Sequence, residues 1–188
     1  MAEPGHKRHA PLAKPASDLS PDLSSLVGRA WPQIFEAMNK SQVTILVAPT
    51  GSGKSTDLPQ MLLAEAQMRA PATKILCAQP RRIAATTLAA YVARRTKTNL
   101  GDLVGYEIGG CKVRSDKTRL TYVVAGIALL NCLDCSPDFD VIIVDEVHTR
   151  DTLIDLLLAV VCHTVLKKLP ALKLVLMSAA MDKEHMKG

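Results

Sequence analysis

Five short apolar runs, separated by stretches of helical period, constrain this chain more than any other feature. The runs are VTILVA (Val43 to Ala48), KILCAQ (Lys74 to Gln79), RLTYVV (Arg119 to Val124), VIIVDE (Val141 to Glu146) and KLVLMS (Lys173 to Ser178). Helical candidates lie between them at Ser55 to Arg69, Arg82 to Arg95, Ala125 to Leu133 and Thr152 to Leu169. Ahead of the first run, an amphipathic stretch from Trp31 to Lys40 has Pro32 in place to open it as the first helical residue. Strands that are apolar on both faces and alternate with helices predict a parallel sheet covered on both sides. The expected fold is therefore α/β, a three-layer sandwich with a mostly parallel sheet. LVGYEIGG (Leu103 to Gly110) adds an extra strand or a loop excursion. In such sheets ligands bind at the carboxyl ends of the strands.

The 188 residues, 48% hydrophobic and 22% charged, suit one globular core. Aromatic residues make up only 3%, so Leu, Val, Ile and Ala must build that core. So few rings offer little stacking surface for bases, and any nucleic-acid contact is expected to be mostly to phosphate. The formal charge of +5 and pI of about 9.0 favour a polyanionic partner. Five cysteines without a secretory signal point to a reducing compartment, intracellular in nucleus or cytoplasm and not secreted. Cys132 and Cys135 form one C-x-x-C, but zinc normally takes four ligands and no second pair follows. No apolar run approaches the ~18 residues that span a bilayer, so no membrane role is expected. Residues 1–25 read as a Pro/Ser-rich, disordered tail, leaving 26–188 as the domain.

Ala48 to Ser55, APTGSGKS, fits the P-loop pattern between a strand and a helix. Gly51 and Gly53 let backbone N–H groups converge on a β-phosphate, and the positive end of the following helix faces the same point. Lys54 supplies a mobile charge for the β- and γ-phosphates, and Ser55 a hydroxyl for Mg²⁺. Thr50, Ser52 and Thr56 complete the expected cofactor-binding loop. Downstream, VIIVDEVH (Val141 to His148) ends a buried strand in two adjacent carboxylates. Carboxylates there need a cation or hydrogen bonds, and a metal bound with a nucleotide meets that need. Asp145 is the candidate metal ligand with Ser55, and Glu146 the candidate base that orients and deprotonates the attacking water.

With these residues in view, the chain from about Gln42 to its end resembles a DEAH/DExH-box superfamily 2 helicase. APTGSGKST resembles motif I, QPRRIAA (Gln79 to Ala85) motif Ia, TRLTYVVAGIALL (Thr118 to Leu130) the motif Ib region, DEVH motif II, and SAA (Ser178 to Ala180) motif III. The resemblance implies the first of two RecA-like domains, binding ATP, Mg²⁺ and one strand of RNA, with DNA as an alternative substrate. It places Arg81, Arg82 and Gly126 at the nucleic acid, Tyr91 at the adenine, and His148 and Ser178 in coupling to a second RecA-like domain, in cis or in trans. Motifs IV to VI, with the arginine finger, belong to that second domain and are not in this chain. The resemblance thus implies Mg-ATP binding with weak hydrolysis and no duplex unwinding by this polypeptide alone.

The sequence also departs from the family pattern. Ala180 stands where motif III usually has Thr, Val124 and Ala125 where the Ib region has Thr and an acid, and Thr149 where Glu is usual. Asp57 replaces a common glutamine one turn into the P-loop helix, and Tyr91 replaces an adenine-stacking arginine. An acid at Asp57 suits the helix dipole but is unwelcome close to phosphates. Ala180 and Val124 favour a second reading, a non-catalytic RNA or protein adaptor with a structural nucleotide. A P-loop kinase or transporter ATPase leaves QPRR and SAA unexplained.

Overall fold

The computed structural model describes residues 23–133 and 138–179, so residues 1–22, Cys135 and Ala180 lie outside the described residues. Among the described residues, seven strands form one sheet: β1 (Val43–Val47), β2 (Ile75–Gln79), β3 (Val104–Ile108), β4 (Cys111–Val113), β5 (Leu120–Val124), β6 (Val141–Val144) and β7 (Lys173–Ser178). Their spatial order is β1-β7-β6-β2-β5-β3-β4. Every pairing is parallel except β3 with β4. That exception resolves the Leu103 to Gly110 stretch as a hairpin. Ile108 pairs with Cys111 across Gly109 and Gly110, and Gly110 adopts φ +81° at the turn.

The helices α1 (Leu26–Lys40), α2 (Asp57–Arg69) and α3 (Arg82–Arg95) cover one face, and α4 (Ala125–Leu133) and α5 (Thr152–Val160) the other. The period-2 side-chain alternation of the strands divides the core accordingly. Ile75, Cys77, Val141 and Ile143 pack toward α1 to α3, whereas Leu76, Ala78, Ile142 and Val144 pack toward α4 and α5. The three-layer sandwich is thus present as the sequence implied.

Three expectations need correction. Pro32 does not open α1, which starts at Leu26 with Ser25 as its N-cap, the Ser25 Oγ accepting the Gly28 N–H at 2.9 Å. Pro32 is tolerated inside because Val27, Trp31, Ile34 and Met38 bury a full apolar stripe, which outweighs one missing ladder bond. Strand β1 is an outer strand and is not covered on both sides: Leu46 packs inward, but Ile45 and Val47 are 66% and 57% exposed. The predicted helix from Thr152 to Leu169 is interrupted. After α5 the backbone widens into a π-helical segment, Val161–Val165, and closes with α6 (Leu166–Lys168). No helix among the described residues is long and apolar enough to cross a membrane.

The parallel strands deliver the segments after β1, β2, β5, β6 and β7 to a single edge of the sheet. Those segments are the ones the sequence marks for chemistry.

Candidate functional site

After β1 the chain turns through Gly51 and Gly53, at φ +78° and +92°. This left-handed region strains residues with a Cβ, which explains glycine at both positions. Helical hydrogen bonding begins as the Gly53 carbonyl accepts the Asp57 N–H at 2.7 Å, although α2 itself starts at Asp57, two residues later than its pattern suggests. Thr50 and Gly51 are exposed at the loop tip, Ser52 is buried, and Ser55 and Thr56 are half-buried at the helix entrance. Helix α1 braces the loop, its Val27 N–H donating to the Ser52 carbonyl at 3.1 Å.

Lys54 is only 5% exposed. Its Nζ donates to the carbonyls of Ala48 at 2.6 Å and Pro49 at 2.8 Å, so the ammonium lies folded across the base of the loop. Those carbonyls satisfy the ammonium's donors locally, and an anion brought to the loop would have to compete with them for the amine.

A further contact fixes the loop from beneath. In helical geometry the Ser55 carbonyl would accept from residue 59, but Pro59 has no N–H. Tyr122, fully buried on β5, supplies the missing donor: its hydroxyl donates to the Ser55 carbonyl at 3.0 Å. Burial, with Cys77, Asp145 and Asp57 nearby, pushes the Tyr122 phenol well above its ordinary pKa and keeps it a donor.

Asp145 follows β6 and is completely buried. Gln79, at the end of the adjacent β2, donates from Nε2 to Asp145 Oδ2 at 2.9 Å, and the Glu146 N–H donates to Oδ1 at 2.9 Å. Both donors are neutral, and among the described residues no salt bridge reaches this carboxylate. A buried carboxylate with only neutral donors still favours a cation, so the site suits a divalent ion held jointly with other oxygen ligands. The described residues alone contain no group of three or more His, Cys, Asp or Glu that could hold a metal. Ser55 and Asp145 would supply protein ligands, and phosphate oxygens and water the rest.

Glu146 turns away from the strand in the left-handed region, φ +56°. Such a conformation is costly for a side-chain-bearing residue. It puts Glu146 Oε2 3.3 Å from His148 Nε2. His148 Nδ1 in turn accepts the Ala179 N–H at 3.1 Å. That acceptance leaves the proton on Nε2, facing Glu146. The Ser178 hydroxyl donates to the Ala179 carbonyl at 2.9 Å, and the Ser178 carbonyl accepts the Ala48 N–H at 3.2 Å. His148 and Ser178 therefore meet at Ala179, which links the Asp145 segment, the end of β7 and the start of the loop.

The residues expected at nucleic acid line the same edge. Arg81 is exposed before α3, and Arg82 Nη2 donates to the Gly109 carbonyl in the hairpin turn at 2.7 Å. Gly126 lies in the first turn of α4, where an added Cβ would meet only Leu153 Cδ1, at 3.6 Å. Tyr91 is on α3, 41% exposed, with Arg95 Cζ 5.6 Å from its ring centroid. Asp57 proves to be paired: Arg95 Nη1 lies 2.5 Å from its Oδ1, which offsets the acid beside the loop.

Sequence reasoning did not place Gln79, Tyr122 or Arg95 in the site. Pro59 was the available signal for Tyr122, because hydrogen bonding here begins at Gly53, ahead of α2, and a proline at 59 then leaves the Ser55 carbonyl without its helical donor. Gln79 was legible as the first residue of the motif Ia stretch and as a polar residue closing a buried strand, but not as a partner of Asp145.

The DEAD/DEAH box helicase family profile matches residues 29–187. Among curated proteins, the probable ATP-dependent RNA helicase spindle-E of Culex quinquefasciatus is 38% identical over 153 residues, covering 80% of this chain and 11% of that protein. The ATP-dependent RNA helicase TDRD9 of Mus musculus is 35% identical over 164 residues, covering 86% of this chain and 12% of that protein. The crystal structure of the Escherichia coli DEAH/RHA helicase HrpB superposes with a TM-score of 0.76 at 32% identity, covering 87% of this chain and 21% of that one. The chain thus spans about a tenth of the length of these curated relatives.

Proposed function

Because the chain belongs to the DEAD/DEAH box helicase family, we propose that this RecA-like domain binds Mg-ATP and RNA and couples them, as the ATP-binding half of a DEAH-type RNA helicase. One observation carries the reading. The phosphate-loop lysine, the buried Asp145, Glu146 and the His148–Ala179 contact all lie on one sheet edge, and Arg81 and Arg82 at the start of α3 share it. The relatives' names, ATP-dependent RNA helicase, support the substrate class.

Gly51, Gly53 and the backbone up to Thr56 would cradle the β-phosphate, and Lys54 would move from the Ala48 and Pro49 carbonyls onto the β- and γ-phosphates. Ser55 and Asp145 would hold Mg²⁺, which when bound neutralises phosphate charge and orients the γ-phosphate. Glu146 would orient the attacking water and take its proton, with His148 Nε2 fixing the carboxylate. The same histidine reads the Ala179 backbone, so a change at Glu146 reaches the end of β7 and any second domain docked there. Arg81 and Arg82 would contact RNA phosphates, and Gly126 would allow close backbone approach. An arginine finger from a second RecA-like domain, in cis or in trans, would complete the site, so the domain alone is expected to turn over slowly.

Glu146→Gln tests this reading. It should leave binding of a Mg-ATP analogue within about twofold and lower phosphate release by about 10²-fold or more, the usual scale of a general base. Unchanged turnover would remove Glu146 from the chemistry.

A further inference from the structure

We propose that Arg95 sets the affinity of the phosphate loop for polyphosphates by cancelling the charge of Asp57, an acid packed against that loop. The proposal rests on the nucleotide reading above and goes further, because it makes the last residue of α3, 38 positions from its partner, a determinant of anion binding.

Asp57 opens α2, and its side chain is turned toward the loop. A Cβ placed on Gly53 would collide with Asp57 Oδ2, so the carboxylate sits directly against the glycine that shapes the turn. The Ser25 Oγ, at the cap of α1, would lie 3.0 Å from the same Cβ, which puts the acid and the α1 cap on one side of that glycine. Asp57 is only 3% exposed. An acid in a first helical turn suits the helix dipole, but here it also opposes any anion that the dipole and Lys54 would attract.

Lys54 does not neutralise this acid. Its Nζ donates to the Ala48 and Pro49 carbonyls and lies 3.5 Å from Ser52 Oγ. Among the described residues the cation paired with Asp57 is Arg95, whose Nη1 lies 2.5 Å from Oδ1. One lysine and one aspartate leave the loop without net charge, and Arg95 restores a positive balance. The field of Asp57 also reaches beneath the loop. Burial is the main cause that holds the Tyr122 phenol well above its ordinary pKa, and Asp57 is among the neighbouring groups that add to it.

A staple between α2 and α3 would account for the ion pair without a role in binding. The Asp57 and Arg95 side chains are 5% and 22% exposed, and replacing an ion pair this secluded by an apolar pair of similar volume often costs a fold nothing. Stability alone is therefore a weak reason for an acid against the loop. The two accounts part on ligand charge. A staple affects all ligands alike, whereas an uncancelled Asp57 opposes each ligand in proportion to its charge. Arg95 is a positioning residue in this sense: it acts through Asp57 and does not need to touch the ligand.

The test is calorimetric titration of the whole chain with Mg-tripolyphosphate and with the less charged Mg-pyrophosphate. Wild type is compared with Arg95→Gln, Asp57→Asn and the paired Asp57→Asn/Arg95→Gln, with melting temperatures read on each. Arg95→Gln uncovers the acid and should weaken tripolyphosphate about five- to tenfold and pyrophosphate about two- to threefold. The paired variant removes both charges and should return to within about twofold of wild type. Asp57→Asn keeps the volume of the side chain and the cation of Arg95, and should tighten tripolyphosphate about threefold; it carries the test by itself if Arg95→Gln fails to fold. Affinity unchanged in Asp57→Asn or in Arg95→Gln, equal losses for the two ligands, or a paired variant as weak as Arg95→Gln would each overturn the proposal and leave the phosphate site standing. Wild type that binds neither ligand would remove the nucleotide reading and this role of Arg95 together.

Discussion

Tyr122→Phe isolates one physical claim about the phosphate loop: that a phenol on β5 replaces the helix donor Pro59 cannot provide. The substitution keeps the ring in its buried slot and deletes only the O–H that reaches the Ser55 carbonyl at 3.0 Å. A typical intramolecular hydrogen bond contributes about 1 kcal/mol net, and a carbonyl left unpaired raises the loss to about 1–3 kcal/mol. Because the bond is part-buried, water can restore some of it, and we expect about 1–2 kcal/mol. For a domain of this size that lowers the melting temperature by about 2–8 °C. Urea denaturation read by circular dichroism gives the stability, and a double-mutant cycle with Pro59→Ala gives the mechanism. Alanine restores an N–H four residues beyond Ser55, so the Tyr122→Phe penalty should shrink by at least half in that background. A penalty of the same size in both backgrounds would refute the account of the loop, because Tyr122 would then act through packing alone.

The buried carboxylates Asp145 and Glu65 give two more expectations. Gln79→Leu removes one of the two donors to Asp145; a hydrogen bond to a charged group is worth about 1.5–3 kcal/mol, so phosphate release should fall about ten- to hundredfold, measured at saturating Mg²⁺. Glu65 is buried on α2, and desolvation raises its carboxyl pKa despite Arg69 nearby. The fold therefore disfavours ionised Glu65, and its stability falls as pH rises from the ordinary carboxylate range through the raised value. Glu65→Gln should melt higher than wild type at pH 7, with the difference vanishing below about pH 4, where both side chains are neutral.

Much of the architecture was legible because its signals are local. Arg82–Arg95, Ala125–Leu133 and Lys173–Ser178 occupy the spans their patterns predict. Pro32 misled because a strong local rule met a stronger tertiary one, the apolar stripe from Val27 to Met38. The openness of β1 was hidden for a related reason: VTILVA reads as apolar on both faces, and only the strand order shows that β1 is outermost. Within the candidate site, Gly51, Gly53, Lys54, Asp145 and Glu146 are candidates by their spacing in the sequence. The partners that aim them are not. Gln79 meets Asp145 across 66 residues, Tyr122 meets Ser55 across 67, and Arg95 meets Asp57 across 38. Such contacts depend on which strands become neighbours, and one sequence does not contain that information.

The central claim is that Lys54 is a phosphate ligand and that nucleotide and RNA sites communicate through this one sheet edge. Calorimetry with a non-hydrolysable Mg-ATP analogue tests it most directly, on wild type and Lys54→Ala, each with and without single-stranded RNA. A charge-assisted contact of about 1.5–3 kcal/mol corresponds to a loss of about tenfold or more in Lys54→Ala, and RNA should tighten the wild-type affinity. Analogue binding that is indifferent to Lys54, or RNA binding without any nucleotide binding, would contradict the account and leave an adaptor in place of a motor half.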